Sequence, residues 1–235
     1  MPISNVAAMR ADDLKQLYAV YGDFYQLDLG EKQLSCRVVL ELVAHERVPL
    51  LANRLAEQQP DLLVVMMNPG SSKPIDDTYR PRVVGLEGAG ARPERVLTRP
   101  DNTQYQVMRV MAAQGWGHAR VFNLSDLREP KSLLWRQQVE QLADVPGGER
   151  HSLFCAARRE ERERLMGERG KIPVLVGWGR DAGMRFLAEQ CLSVLSGWLL
   201  LGVATDAEGI FYAHPSPMLQ QAKERWLAEI LMCLQ

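Results

Sequence analysis

The spacing of apolar residues changes period along the chain, and each change marks an element. From Ala11 to about Leu55 apolar residues recur every three or four positions, as at Leu14, Leu17, Tyr18 and Tyr21, and Val38 to Val43 extend the stripe until Pro49 interrupts it. That spacing predicts helices, forming an N-terminal helical lead-in over residues 1–60. His45, among charged residues at the end of this stretch, reads as a solvated or capping residue. The pattern then becomes continuous. Leu62 to Met67 are all apolar and run directly into Asn68, Pro69, Gly70, Ser71 and Ser72. An apolar run bounded by turn residues predicts a strand buried on both faces, as in the middle of a parallel sheet.

Lys73 to Pro100 has little periodicity and contains four prolines, Pro74, Pro81, Pro93 and Pro100. It reads as a long solvated loop. Asp101 to Gly115 predicts a helix, with Asp101 or Asn102 as cap, Tyr105, Met108 and Met111 or Ala112 on the buried stripe, and Gly115 as the stop. Ala119 to Leu124 predicts a second strand ending in Asn123. Leu133 to Leu142 and Ser152 to Gly167 predict helices, and Ile172 to Gly179 a third strand closing on Gly-Trp-Gly. Arg180 to Gln190 predicts the next helix and Trp198 to Val203 a fourth apolar run. The strand-like run Gly209 to Met218 then delivers His214 into a double-proline loop, and Leu219 to Leu234 predicts a last amphipathic helix. Strands alternating with helices specify parallel strands with crossover helices. The expected fold is therefore a single α/β domain over 1–235: three layers, α/β/α, around a central four-stranded parallel sheet, with the core in 61–235.

Composition narrows the function classes. A formal net charge of -1 and pI of about 6.4 exclude a chain that grips nucleic acid through a broad basic surface, and leave a local patch or a pocket. Cys36, Cys155, Cys191 and Cys233 are dispersed and form no C-x-x-C pair, so neither a metal nor another cofactor is expected. The opening MPISNVAAMRADDLK lacks the pattern of a signal peptide, and no run has the length of a membrane span. A cytoplasmic protein with reduced thiols is the expectation.

The candidate chemistry lies at the strand ends, NPGSS, NLSDLR, GWGRDA and HPSPM. Right-handed crossovers bring such ends to one edge of a sheet, so Asn68, Asn123 and His214 are expected to converge although 146 residues separate the first from the last (214 − 68). Carboxamides present a donor and an acceptor side by side, which suits the edge of a nucleobase. A neutral histidine stabilises charge developing on a carbonyl oxygen. The prolines flanking Ser216 stiffen its loop. Ser125 and Ser152 have no evident His-Asp partners in the sequence, and GWGRD lacks the endings of a P-loop or dinucleotide fingerprint.

In this order, MNPGSS, VFNLSDLR, VLVGWGRDA and HPSPM resemble the motifs of the uracil-DNA glycosylase superfamily. NPG is similar to the mismatch-specific branch and HPSPM to the classical one. The resemblance spans about residues 61–234. It implies a glycosylase-like fold and hydrolysis of the N-glycosidic bond of uracil or a damaged base in DNA, with no cofactor and with DNA or a nucleobase-containing ligand as partner. By position it implies that Asn68 and His214 are catalytic and that Pro69, Gly70, Ser71 and Asn123 bind the base. Tyr79 or Tyr105 would stack on the base, and Ser216, Pro217 and Met218 would face DNA, with Met218 as the wedge that replaces a flipped base. A second resemblance overlaps the first, to an uncharacterised bacterial family with an MLNPS-type strand end and a VVNLFALR-like stretch. It keeps open a non-catalytic nucleobase or nucleic-acid binder of the same fold.

Overall fold

The computed structural model describes residues 3–48, 55–85 and 93–234. Two short helices, α1 (Ile3–Ala7) and α2 (Ala11–Leu17), lead into a long antiparallel hairpin of β1 (Tyr18–Asp28) and β2 (Gln33–Ala44). β3 is Leu62–Met66, β4 Arg82–Gly85 and β5 Val96–Leu97. Helix α3 (Asn102–Gln114) precedes β6 (His118–Asn123), and α4 (Ser132–Ala143) and α5 (Arg159–Met166) precede β7 (Val174–Val176). Helix α6 (Arg185–Val194), β8 (Leu200–Leu201) and α7 (Gln220–Met232) complete the chain.

The strands form one sheet in the order β4-β1-β2-β6-β3-β7-β8, with β5 also paired to β1. β6, β3, β7 and β8 are mutually parallel, so the sheet holds a parallel unit of four strands as expected, but its fourth strand is Leu200–Leu201 rather than the run leading to His214, and the whole sheet has eight strands rather than four. The hairpin adds to it through an antiparallel pairing of β2 with β6. Helices cover both faces. Trp135, Leu142, Leu165 and Leu187, from α4, α5 and α6, pack on one side. Val107, Met111, Trp226 and Ile230, from α3 and α7, pack on the other with Val6 and Leu14. The architecture is three-layer α/β/α. Among the described residues no helix is long and apolar enough to cross a membrane.

Three expectations are corrected. The helical lead-in is real only through Leu17; beyond it the chain is the β1–β2 hairpin. The register of that hairpin shifts so that Asp23 faces Val39 and Phe24 faces Arg37, leaving Val38 as an extra, bulged residue. A bulge breaks the two-residue period and imitates helical spacing. Second, the stretch 73–100 is not wholly loop, because β4 and β5 within it pair with β1, and Ile75 and Arg99 bond back to Leu97 and Lys73. Third, residues 209–213 form isolated bridges through Tyr212 rather than a strand, and 152–158 are turns and a short 3-10 segment rather than helix.

A buried polar cluster fastens the hairpin to the parallel unit. Glu41 Oε2 lies 2.9 Å from His118 Nε2, and its Oε1 accepts from Arg120 Nε at 2.9 Å and Arg95 Nε at 3.3 Å. Asp23 accepts from Arg95 at 2.8 Å and from Arg82. The other nitrogens of Arg120 donate to the carbonyls of Leu165, Leu55 and Gln58, so every nitrogen of its guanidinium has a partner.

Candidate functional site

β3 and β6 are adjacent and parallel, with Met66 opposite Asn123, so both asparagines leave the sheet at one rim. Asn68 donates through Nδ2 to the carbonyls of Glu129 (2.7 Å) and Leu127 (3.3 Å), which leaves Oδ1 free to accept. With its amide oriented to satisfy both ends, buried Asn123 donates to the Asn68 main-chain carbonyl at 3.2 Å and accepts from Arg37 Nη2 at 3.1 Å. Gly70, at φ +57°, takes the left-handed conformation that turns the chain after Pro69.

Arg37 reaches this rim because β2 runs antiparallel to β6. The start of β2 therefore lies at the end of β6. The bulge at Val38 decides which face it serves. Arg37 and Leu40 are three residues apart and would point to opposite faces of a regular strand, yet Leu40 packs with the α3 side and Arg37 lines a cavity with Val107 and Val121 of that side. Burial lowers the Arg37 pKa to about 10, with Asp101 raising it and Arg128 lowering it.

His214 is held by a loop that the Gly-Trp-Gly strand end secures. Trp178 Nε1 donates to the Ile210 carbonyl at 2.9 Å, and its ring meets Tyr212 edge-on at 5.3 Å. Trp226 Nε1 donates to the Ala213 carbonyl at 3.2 Å and Gln106 to the Pro215 carbonyl at 3.2 Å. A side chain at Gly177 would stand 3.0 Å from the Pro215 ring, so glycine is what permits the close approach. His214 Nδ1 accepts from the Ser216 N–H at 3.1 Å, and burial lowers the ring's pKa. The neutral tautomer therefore carries its hydrogen on Nε2.

Asn68, Asn123, His214 and Pro69 line one cavity of about 40 Å³, together with Arg37, Asp101 and Gln104. That volume accommodates roughly three water molecules. Asp101 caps α3, accepting from the N–H groups of Thr103 and Gln104, so its carboxylate stands at the cavity with both a cation and an imidazole nearby. Comparison with family models, with curated proteins and with solved structures gave no match. The chemistry of the site rests on its own geometry.

The remaining predicted residues lie elsewhere. Gly70 and the exposed Ser71 sit on the turn after β3 and do not line the cavity. Tyr79 is half-buried in the electrostatic reach of Glu94, Asp23 and Arg82, at the β1 edge, and Tyr105 packs at the α3 side beside Lys15. Neither brings a ring to the cavity. Ser216 binds His214 through its backbone, Pro217 is half-buried, and Met218 is 99% exposed beside exposed Leu219.

Sequence reasoning missed Arg37 and Asp101 as members of the site. Arg37 fell in a stretch read as helix, and Asp101 read only as a cap. It also found no partner for Ser125, whose hydroxyl lies 2.9 Å from His151 Nδ1. Both residues are buried, and burial next to Arg158 holds the His151 pKa down to about 4. Neither lines the strand-end cavity. A larger cavity of about 250 Å³ opens by β1 and β4, lined by Arg82, Arg150, Arg158 and Arg164. Arg82 is already paired with Asp23, and Arg158 with Asp126 and Glu161.

Proposed function

We propose that the strand-end cavity recognises the edge of a nucleobase and that the chain is a uracil-DNA glycosylase-like protein, hydrolysing the N-glycosidic bond of uracil or a damaged base in DNA. One observation carries the reading: two carboxamides and a neutral imidazole, remote in sequence, line a single cavity. His214 Nε2–H donates to a base carbonyl oxygen as the glycosidic bond breaks, stabilising the charge that the bonding pair brings to the base. Asn123 reads the base edge through its amide. Asn68 orients the attacking water through Oδ1 but takes no proton from it. Water adds its oxygen to C1′ of the deoxyribose and keeps one proton as the new hydroxyl, while the other proton passes through solvent to the departing base anion. Met218, with its side chain in solvent, occupies the position of a duplex wedge.

A second reading, a non-catalytic binder of a base or nucleic acid, is favoured by the cavity's small volume and by the bond between Asn123 and Asn68. Catalysis requires a base to displace that bond and widen the cavity. The deciding assay incubates purified protein with uracil-containing and mismatched oligonucleotides and scores alkali-labile abasic sites. Strand breaks that disappear in His214→Ala support the enzyme. A mobility shift without breaks supports the binder, and neither signal refutes both.

A further inference from the structure

Arg37 is 2% exposed, and only its Nη2 has a side-chain partner, the Asn123 amide. Its Nε and Nη1 are buried with no hydrogen-bond partner at all. Native proteins rarely leave buried donors unpaired, and least of all on a charged group, where the desolvation cost is greatest. The contrast with Arg120 is direct. Arg120 is equally buried on the neighbouring strand β6, and all of its nitrogens are matched by Glu41 and three carbonyls. The cation of Arg37 is not matched in this way: Asp101, the carboxylate at the same cavity, spends its Oδ1 on the two N–H groups at the start of α3. Asp126 lies within electrostatic reach of Arg37; its Oδ2 accepts from Tyr25 and Arg158, and its Oδ1 is buried without a hydrogen-bond partner, so it makes no bond to Arg37. Arg128, the other cation near Arg37, donates to the Ser72 carbonyl.

The backbone is bent to put Arg37 there. The bulge at Val38 is the feature that aligns Arg37 with the cavity face, and bulges recur next to active sites because they re-aim a side chain. An unpaired guanidinium fork beside a cavity is a receptor for oxygen acceptors, strongest for those that carry negative charge.

We propose that Arg37 is a ligand-binding residue of the strand-end cavity and that its free N–H groups receive a negatively charged oxygen on the edge of the bound molecule. This deepens the proposed function and rests on it in one respect, the identity of that molecule. For a base leaving a sugar, the oxygen is the carbonyl that becomes anionic as the glycosidic bond breaks, and Arg37 joins His214 Nε2–H in holding it. The requirement common to any such ligand is the oxyanion, which formate carries in a form small enough for about 40 Å³.

The test uses the full chain labelled with ¹⁵N-arginine. Formate and free uracil are titrated separately while the Arg37 Nε–H resonance and the melting temperature are followed, in the wild type and in Arg37→Met. Methionine fills similar space without charge, and replacing a buried, incompletely paired charge by an apolar residue is tolerated or stabilising. The expected result is a saturable shift of the Arg37 resonance with formate, at least tenfold weaker formate binding in Arg37→Met by melting-temperature shift, and an unimpaired melting temperature of the free variant. A response to formate without any to uracil supports the role of Arg37 and removes the nucleobase reading. Uracil binding that is equal in wild type and Arg37→Met keeps the nucleobase reading and overturns the role of Arg37. No movement of the Arg37 resonance with either probe also overturns it, and that measurement needs no variant to fold.

Discussion

Replacing Glu41 by glutamine removes the one carboxylate that His118, Arg120 and Arg95 all face. The magnitude follows from two independent routes. Burial by itself would raise the Glu41 pKa, but Arg120, His118 and Arg95 outweigh it and hold it at about 2, against an ordinary 4.5. That displacement corresponds to about 3 kcal/mol of folding free energy at neutral pH. Removing one partner of a buried ion pair costs about 3–5 kcal/mol, because the remaining charges stay buried without compensation. The two agree. For a chain of this size such a loss lowers Tm by about 6–20 °C. The sign with pH is fixed by the direction of the shift. A depressed carboxylate pKa gives stabilisation that is complete above 4.5 and is lost as the pH falls towards 2. Glu41→Gln is therefore less stable than wild type at pH 7, with a flatter profile between pH 4.5 and 2. Urea denaturation at a series of pH values measures both. A double variant, Glu41→Leu with Arg120→Met, removes charge from both sides of the cluster and should cost less than the sum of its single changes. A loss below about 1 kcal/mol for Glu41→Gln, within the range of surface pairs, refutes the claim that this cluster anchors the hairpin.

Gly177→Ala puts a methyl 3.0 Å from the Pro215 ring and 3.2 Å from the Ala213 carbonyl, displacing the loop that carries His214. Base excision, or uracil binding, should fall about tenfold with little change in Tm, since small misplacements are costly to chemistry; unchanged function refutes the positioning role of the Gly-Trp-Gly turn. Asp101→Asn keeps a good helix cap but removes the negative charge near Arg37, so formate should bind more tightly, whereas Asp101→Ala costs about 1 kcal/mol through loss of the cap. Equal formate affinity in Asp101→Asn and wild type counts against that electrostatic pairing. Burial raises the Asp126 pKa to about 6 despite Arg158, so below that pH the folded carboxyl holds a proton the unfolded one has lost, and stability falls as the pH rises towards 6. His151, held at about 4 by burial, has the opposite sign: the unfolded ring protonates first, and stability falls on acidification from 6.5. The two offset in the wild type. Asp126→Asn should uncover a steady loss of stability between pH 6.5 and 4, and a flat urea-midpoint profile in that variant contradicts the assignment.

The parallel half of the fold was legible because its strands are buried on both faces, mostly apolar apart from His118 and Arg120 of β6, and end abruptly in turn residues. Leu62 to Met66 pairs in parallel with both β6 and β7, the position where continuous apolar runs occur. The hairpin was illegible for a related reason. From Cys36 onward β2 is also buried on both faces, with Cys36 and Val39 on one side and Leu40 and Leu42 on the other, so beyond Gln33 and Ser35 no polar residues mark an outer face except the buried Arg37 and Glu41. Its bulge then sets Val38 and Val39 side by side, and the sum imitates a helical stripe. The same bulge explains why the site was only half visible. Asn68, Asn123 and His214 announce themselves as polar residues at the ends of apolar runs. Arg37 sits inside such a run, where a charge is an anomaly whatever the secondary structure. Seen as a strand, β2 contains two buried charges. Glu41 meets a full set of partners, and Arg37, at the rim, does not. Local sequence rules fail most informatively where a fold tolerates a cost for function, and the residue they misplaced here is one whose buried guanidinium keeps two nitrogens without a partner.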